Sequence, residues 1–378
     1  MSDFSVPVVK IGKLEKLPNS DKLSITEVEG CPVICQTSEF KEGDLAVYIP
    51  VEAVVPLNRP CFDFLKDTNH PERETARIKA KRLRGTFSMG LLIPVDAALG
   101  KGKFAAGADW DGSGPVDVAA DLGIVKYEEP ELQPTEPRAN KKGSFWRLVQ
   151  AWVRHPIKMF RRRLQEKEDR EAQRDPGFMP VYDMESIRKH KGTFAQGEQV
   201  YVSEKIHGCN ARYSFRDNRF WVGSHRSFKK KDPNSWWWRA AIANDLEKKL
   251  QNFPGLVVYG EIYGRVQDLN YGCKGEEIRL AVFDLYDSTK KCFLSYAEFE
   301  TMCALLSLPR VPVLYVGPYG DNVALMAEGN TTMPGASHIR EGIVIKPVVE
   351  REARGVGRVI LKLIGPQYLL RKGGTEAH

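Results

Sequence analysis

A lysine placed to carry a covalent adduct stands in the run YVSEKIHGCNARYSF, residues 201–215, where Lys205 leaves an expected strand and Gly208 follows three residues later. A free lysine amine, with a pKa of about 10.4, is a poor nucleophile near neutrality until burial or neighbouring cations lower it. Group transfer through such an amine therefore needs a rigidly held lysine, nearby positive charge, and a chain that turns tightly enough for phosphates to approach. Gly208 is expected to supply the turn and to remove side-chain bulk. K-x-x-G alone is common, but companions follow in order. Glu261 ends the apolar run LVVYGEIYG, Phe283 lies in LAVFDLY, Glu341 and Lys346 share REGIVIKP, and Lys362 sits in VILKLIGPQYL. Singly, the charged ones read as surface groups and Phe283 as core; together they read as one site. On a regular strand Glu341, Ile343 and Ile345 share one face and Gly342, Val344 and Lys346 the other. Glu341 and Lys346 then diverge, unless the strand twists or ends between them.

The elements that must position these groups are legible from periodicity. From about 181 onward the pattern is mixed α/β, with strand-like runs at 199–204, 211–215, 219–223, 256–261, 278–286, 341–347 and 357–363. A helix is expected over 236–252, with Trp238, Ile242, Leu246 and Leu250 on its apolar face. A second starts at Ser295, where Ser295-x-x-Glu298 forms a capping box, and runs to about 307. The triple Trp236-Trp237-Trp238 reads as a helix start anchored in the core, with base stacking the competing use.

Residues 1–125 read as a β-rich module of short strands and turns, a small barrel or sandwich. Leu23, Ile25 and Val28 stand in it at alternating positions. Arg77, Lys79, Lys81, Arg82 and Arg84 crowd ahead of an apolar strand, as a phosphate-binding edge would. Residues 126–180 read as a Pro-rich, charged linker with a basic helical insertion at 138–175, broken near Pro156.

Lys and Arg number 56 against 49 Asp and Glu, a net charge of +7 that leans only weakly toward a polyanionic partner. The seven cysteines form no even framework, and Cys31 with Cys35 has no matching second pair, so packed, reduced thiols are expected rather than a zinc site. No apolar run approaches the roughly 20 residues of a membrane span, and no signal peptide opens the chain. A cytoplasmic protein without membrane attachment is expected; nothing in the sequence specifies an oligomeric state.

The quoted motifs over about 195–370 resemble the covalent lysyl-nucleotidyltransferase superfamily of ligases and capping enzymes. Lys-Ile-His-Gly with Asn210 resembles its RNA ligase branch; DNA ligases and capping enzymes more often carry Asp before the glycine. KIGKLEKLPNSDKLSITEVEG with KEGDLAVYIP resembles OB-fold modules of the tRNA-binding type. An OB module preceding the transferase, with too little chain after Lys362 for another barrel, is similar to ATP-dependent RNA ligases of the Deinococcus type. The resemblance implies an α+β protein. An N-terminal β-barrel (OB-like) module at 1–125 would be followed by a mixed α/β adenylyltransferase domain on antiparallel sheets at 181–378.

It also implies roles. Lys205 would be the nucleophile, and His207 would assist sealing. The backbone of Glu204 would help read adenine, Phe283 would stack on the base, and Glu261 would sit near the ribose or a metal. Arg226 would contact the AMP phosphate or the incoming 5′-phosphate. Lys346 and Lys362 would neutralise the α-phosphate, while Glu341 and Asn210 would organise Mg²⁺ or Mn²⁺ with its waters. ATP would be the substrate, and the partner an RNA or an RNA-containing nicked duplex. One departure stands out: the family usually shows Lys-x-Lys in the last motif, and here Ile360 and Ile364 flank Lys362. Two other readings compete: a GTP-using capping guanylyltransferase, and a non-catalytic RNA-binding protein with a degenerate transferase domain.

Overall fold

The computed structural model describes residues 4–18, 20–67, 72–101, 116–127 and 174–371. The basic insertion expected at 138–175 lies almost entirely outside them. Two compact units are present. The first gathers Met1–Glu129, Glu185–Thr193 and Ile364–Gly373; the second gathers Pro130–Met184, Phe194–Leu363 and Gly374–His378. No described helix is long and apolar enough to cross a membrane, and all seven cysteines are free.

In the first unit β1 (Val8–Lys10), β2 (Leu23–Val28), β3 (Cys31–Gln36) and β4 (Leu45–Ile49) precede a hairpin of β5 (Lys81–Leu83) and β6 (Thr86–Ser88), then β7 (Leu91–Pro94). β4 lies between β1 and β7 and buries both faces. Val47 and Ile49 pack with Val8, Val55 and Phe62, while Ala46 and Tyr48 pack with Ile11, Val33 and Leu92. In β2, Ser24, Thr26 and Val28 are buried, whereas Leu23 and Ile25 are half-buried. The hydroxyls are tolerated inside because Ser24 bonds Thr37 across the edge at 2.9 Å.

The second unit holds two antiparallel sheets. In one, β8 (Gln199–Lys205) runs between β14 (Val313–Pro318) and β15 (Gly342–Pro347), and β16 (Leu361–Ile364) lies beyond β15. In the other, the order is β10 (Arg219–Ser224), β9 (Cys209–Arg216), β11 (Leu256–Gly264), β12 (Ile278–Asp287) and β13 (Cys292–Phe293). β11 is buried at every position but Glu261, which is half-buried, because both its faces are covered. Val258 and Ile262 meet a helical layer; Val257 and Tyr259 meet Val344 and Ile360 of the first sheet's side.

The helical layer comprises α1 (Trp236–Ala243), α2 (Leu246–Gln251) and α3 (Tyr296–Leu305). The single helix expected over 236–252 is instead two, broken where Asp245 takes φ 51°. Ile242, within α1, is 58% exposed, while Trp238, Leu246 and Leu250 are in the core. Trp237 is also buried and Trp236 is half-buried against the same core, so the helix start is anchored there. At α3 the Glu298 carboxylate accepts from the Ser295 N–H at 2.8 Å and from its hydroxyl at 2.6 Å.

Candidate active site

Lys205 is the last residue of β8, opposite Gly342, the first residue of β15. Glu341 therefore sits just before the strand and escapes its alternation. Its carboxylate turns back so that Lys205 Nζ donates to Glu341 Oε1 at 2.5 Å, with the glutamate fully buried and the lysine side chain 12% exposed. Tyr201, on the same face of β8 as Lys205, lies opposite Lys346. The strand end thus lets Glu341 and Lys346 serve one side, the outcome that simple alternation forbids.

Beyond Lys205 the chain passes between β8 and β9. A Cβ on Gly208 would lie 2.1 Å from the carbonyl oxygen of Ile262 and 3.1 Å from Glu261 Cγ. Gly208 is not among the positive-φ residues, so close backbone approach, not a left-handed turn, demands the glycine. His207 is buried on both its groups: its N–H donates to the Tyr271 hydroxyl at 2.7 Å, and Nε2 lies 2.7 Å from Asp268 Oδ1. Asn210 faces Glu261 directly across β9 and β11. The Asn210 Oδ1 atom is buried with no hydrogen-bond partner.

Glu261 is pushed up to about 8, chiefly by burial; Lys205 works against the rise, Glu341 adds to it, and the Gly208 N–H opposes it. A carboxyl whose folded pKa exceeds its unfolded one contributes stability that is complete below the unfolded value and lost as pH rises through the folded one. Glu261→Gln should therefore gain thermal stability over the parent progressively between about pH 5 and pH 8, with no further gain above. Paired melting curves across that range check this; a pH-independent difference contradicts it.

On β12 the pairing with β11 slips: Tyr259 faces Asp284, yet Gly260 faces Val282. Phe283 is the extra residue of a β-bulge, a device that re-aims side chains. Phe283 and Asp284 both come to lie between the sheets, which a regular strand would not allow. Phe283 packs 4.9 Å from the Tyr182 ring. Asp284, fully buried, receives Lys346 Nζ at 2.6 Å, Arg358 at 2.8 Å and the Tyr182 hydroxyl at 2.5 Å. Lys346 also donates to the Phe283 carbonyl at 3.0 Å. Burial acts to raise Asp284, but Arg358 and Lys346 outweigh it and hold the carboxyl below its ordinary value. Burial lowers the Lys346 ammonium against the pull of Asp284.

Of the other expected residues, Glu204 donates its N–H to the Pro312 carbonyl at 2.9 Å. Its buried carboxylate is taken up by Thr331 and Thr332, whose N–H and hydroxyl each donate at 2.8 Å. Arg226 is exposed in the turn after β10, and Lys362 is half-buried on β16. Ile360, next but one to Lys362, packs with Tyr182, Tyr259 and Val344, so apolar filling occupies that position. Sequence reasoning missed Asp284, Arg358, Asp268 and Tyr271. Asp284 carried a signal: it is a lone charge inside an apolar strand run.

A divalent cation is tested by the donors present. Glu341 and Glu261 offer carboxylate oxygen and Asn210 an unpartnered buried amide oxygen, all hard donors of the kind Mg²⁺ and Mn²⁺ prefer. Among the described residues no three His, Cys, Asp or Glu converge as a complete cage. That pattern fits an ion held by one or two carboxylates with water and substrate phosphates.

Residues 198–364 match the family model described as RNA ligase, and residues 5–95 match one described as an OB-fold domain. No curated protein matches the chain. Among solved structures, a Naegleria gruberi RNA ligase mutant with ATP and Mn is 21% identical, with TM-score 0.70, covering 97% of this chain and 98% of that one. Another mutant of that ligase, with AMP and Mn, is 21% identical with TM-score 0.72 over 96% and 97%. The same ligase with PPi is 20% identical with TM-score 0.69 over 97% of each chain. At such identity the likeness establishes the fold.

Proposed function

We propose, from the premise that residues 198–364 form an RNA ligase domain behind an OB-fold domain at 5–95, that this chain is an ATP-dependent RNA ligase working through lysyl-AMP. The observation that carries the mechanism is the Lys205–Glu341 contact at 2.5 Å. Before attack the Lys205 ammonium must lose a proton, and Glu341 Oε1 is the oxygen within reach to take it. The freed amine attacks the α-phosphorus of ATP; the N–P bond forms as the bond to pyrophosphate breaks. AMP then passes to an RNA 5′-phosphate, and a 3′-OH displaces AMP to make the phosphodiester. Each step is an in-line displacement, so positioning and charge neutralisation carry the catalysis.

Phe283 supplies the stacking face for adenine and the Glu204 carbonyl an acceptor beside it. Lys346 and Lys362 meet the α-phosphate, Lys346 with its amine oriented by Asp284. Arg226 serves the AMP phosphate or the incoming 5′-phosphate. His207 is oriented by Asp268 for the sealing steps. Glu341 and Asn210, with Glu261 adjoining, would hold Mg²⁺ or Mn²⁺, which when bound neutralises charge on the phosphates.

The favoured substrate is a nick in a duplex whose 3′-OH strand is RNA, with the OB-fold domain on the flanking backbone and the exposed hairpin of Lys81, Arg82 and Arg84 as its contact. Module 1–125, linker 126–180 and transferase 181–378 remain the working division. The free thiols accord with a cytoplasmic setting. Incubation with ATP, metal and nicked duplexes varying in the sugar at each strand tests the reading. Sealing is expected with ribose at the 3′-OH and strongly reduced sealing with deoxyribose there; equal sealing of both removes the RNA preference, and an adduct formed only with GTP replaces the ligase by a capping enzyme.

A further inference from the structure

The run His225–Ser235, HRSFKKKDPNS, places four cations against one acid, Asp232, and neither the lysines nor the tryptophans that follow have a part in the transfer chemistry above. The run is built rather than loose. After β10 the chain turns back on itself, with Ser224 N–H donating to the Ser227 carbonyl at 2.7 Å and Lys229 N–H to the Val222 carbonyl at 2.8 Å. Phe228 is buried beneath it, under the Arg212 guanidinium at 4.4 Å from the ring. The lysine heads are ordered by aromatic faces: Lys229 Nζ stands 4.3 Å from the Trp237 ring centre and Lys231 Nζ 5.6 Å from that of Trp238. Lys230 and Lys231 are exposed.

The ledge is also tied to the site. Trp237 Nε1 donates to the Asn210 carbonyl at 3.0 Å, and Asn210 lies opposite Glu261. Lys229 Nζ also donates to the Ser227 hydroxyl at 2.8 Å, and heads held in place in this way lose less entropy when they meet an anion from the solvent side. We infer that Lys229, Lys230 and Lys231 form a preordered ledge that grips the sugar-phosphate backbone of RNA next to the break. This rests on the ligase reading and deepens it by assigning the backbone contact to a segment outside the transfer motifs.

The test compares parent protein with Lys229→Gln/Lys230→Gln/Lys231→Gln, and with the exposed single variants Lys230→Gln and Lys231→Gln, in which folding is not at issue. Two quantities are read: AMP attachment from ATP without RNA, and binding of a nicked RNA duplex across a salt series. Each phosphate contact adds about 0.9 to the slope of log affinity against log salt on duplex. The triple variant should lose roughly two to three from that slope, and each single about one, with AMP attachment unchanged. The matching triple Lys→Arg variant should restore the slope. An unchanged slope in the triple and single variants overturns the ledge whatever the adduct shows. Failure of the parent to take AMP overturns the ligase reading separately, since the salt series is scored without ATP.

Discussion

Lys205→Ala is expected to take no AMP from ATP and to lose sealing of 5′-phosphate nicks by about 10⁴-fold or more, the scale seen when a covalent nucleophile is deleted. Lys205→Arg should fail as completely, because a guanidinium does not deprotonate at working pH. Both variants should still join a strand supplied already adenylated at its 5′ end, since the last step has no need of the amine as nucleophile. Assays with paired ordinary and pre-adenylated substrates check this. Loss on both substrates would mean that the variants fail to bind or fold; full sealing from ATP would show another residue to be the nucleophile.

Asp284→Ala should carry the largest stability penalty. The carboxylate serves Lys346, Arg358 and Tyr182 at once, with Lys346 buried and Arg358 largely so. Truncation leaves two cations competing for Glu350, which accepts from Arg358 at 2.7 Å. Removing one partner of a buried ion pair costs about 3–5 kcal/mol, whereas replacing both by apolar groups is often neutral. Lys346→Met in the Asp284→Ala background should therefore recover much of the loss. Denaturant unfolding of the two singles and the double measures the coupling; a loss under about 1 kcal/mol in Asp284→Ala, below the range for buried pairs, contradicts it. The sign with pH follows from the depressed carboxyl. Its stabilisation is present above the unfolded value near pH 4 and vanishes as pH falls through the folded one, so parent and variant should converge in acid.

The strands that carry the site were legible because their apolar runs are long and bounded by turn residues: the runs expected at 199–204, 256–261 and 278–286 correspond to β8, β11 and β12. Two features of the site were not legible. The bulge at Phe283 changes which residues share a face, and nothing in LAVFDLY marks a pairing slip that depends on β11. Likewise, where β15 begins decides whether Glu341 joins Lys205, and strand ends are fixed by partners more than by local propensity. Gly208 was rightly singled out: the chain bends there between β8 and β9, and the contact with Ile262 that leaves no room for a side chain was visible only from the neighbouring strand. The break between α1 and α2 was hidden because Trp238, Ile242, Leu246 and Leu250 keep helical spacing across it.

The most direct measurement is the mass of the ATP-treated protein with site mapping by proteolysis. A single added AMP, released by acid and stable to base as a phosphoramide is, should map to the peptide containing Lys205. An AMP mass on any other residue, or none under metal and ATP, contradicts the account at its centre.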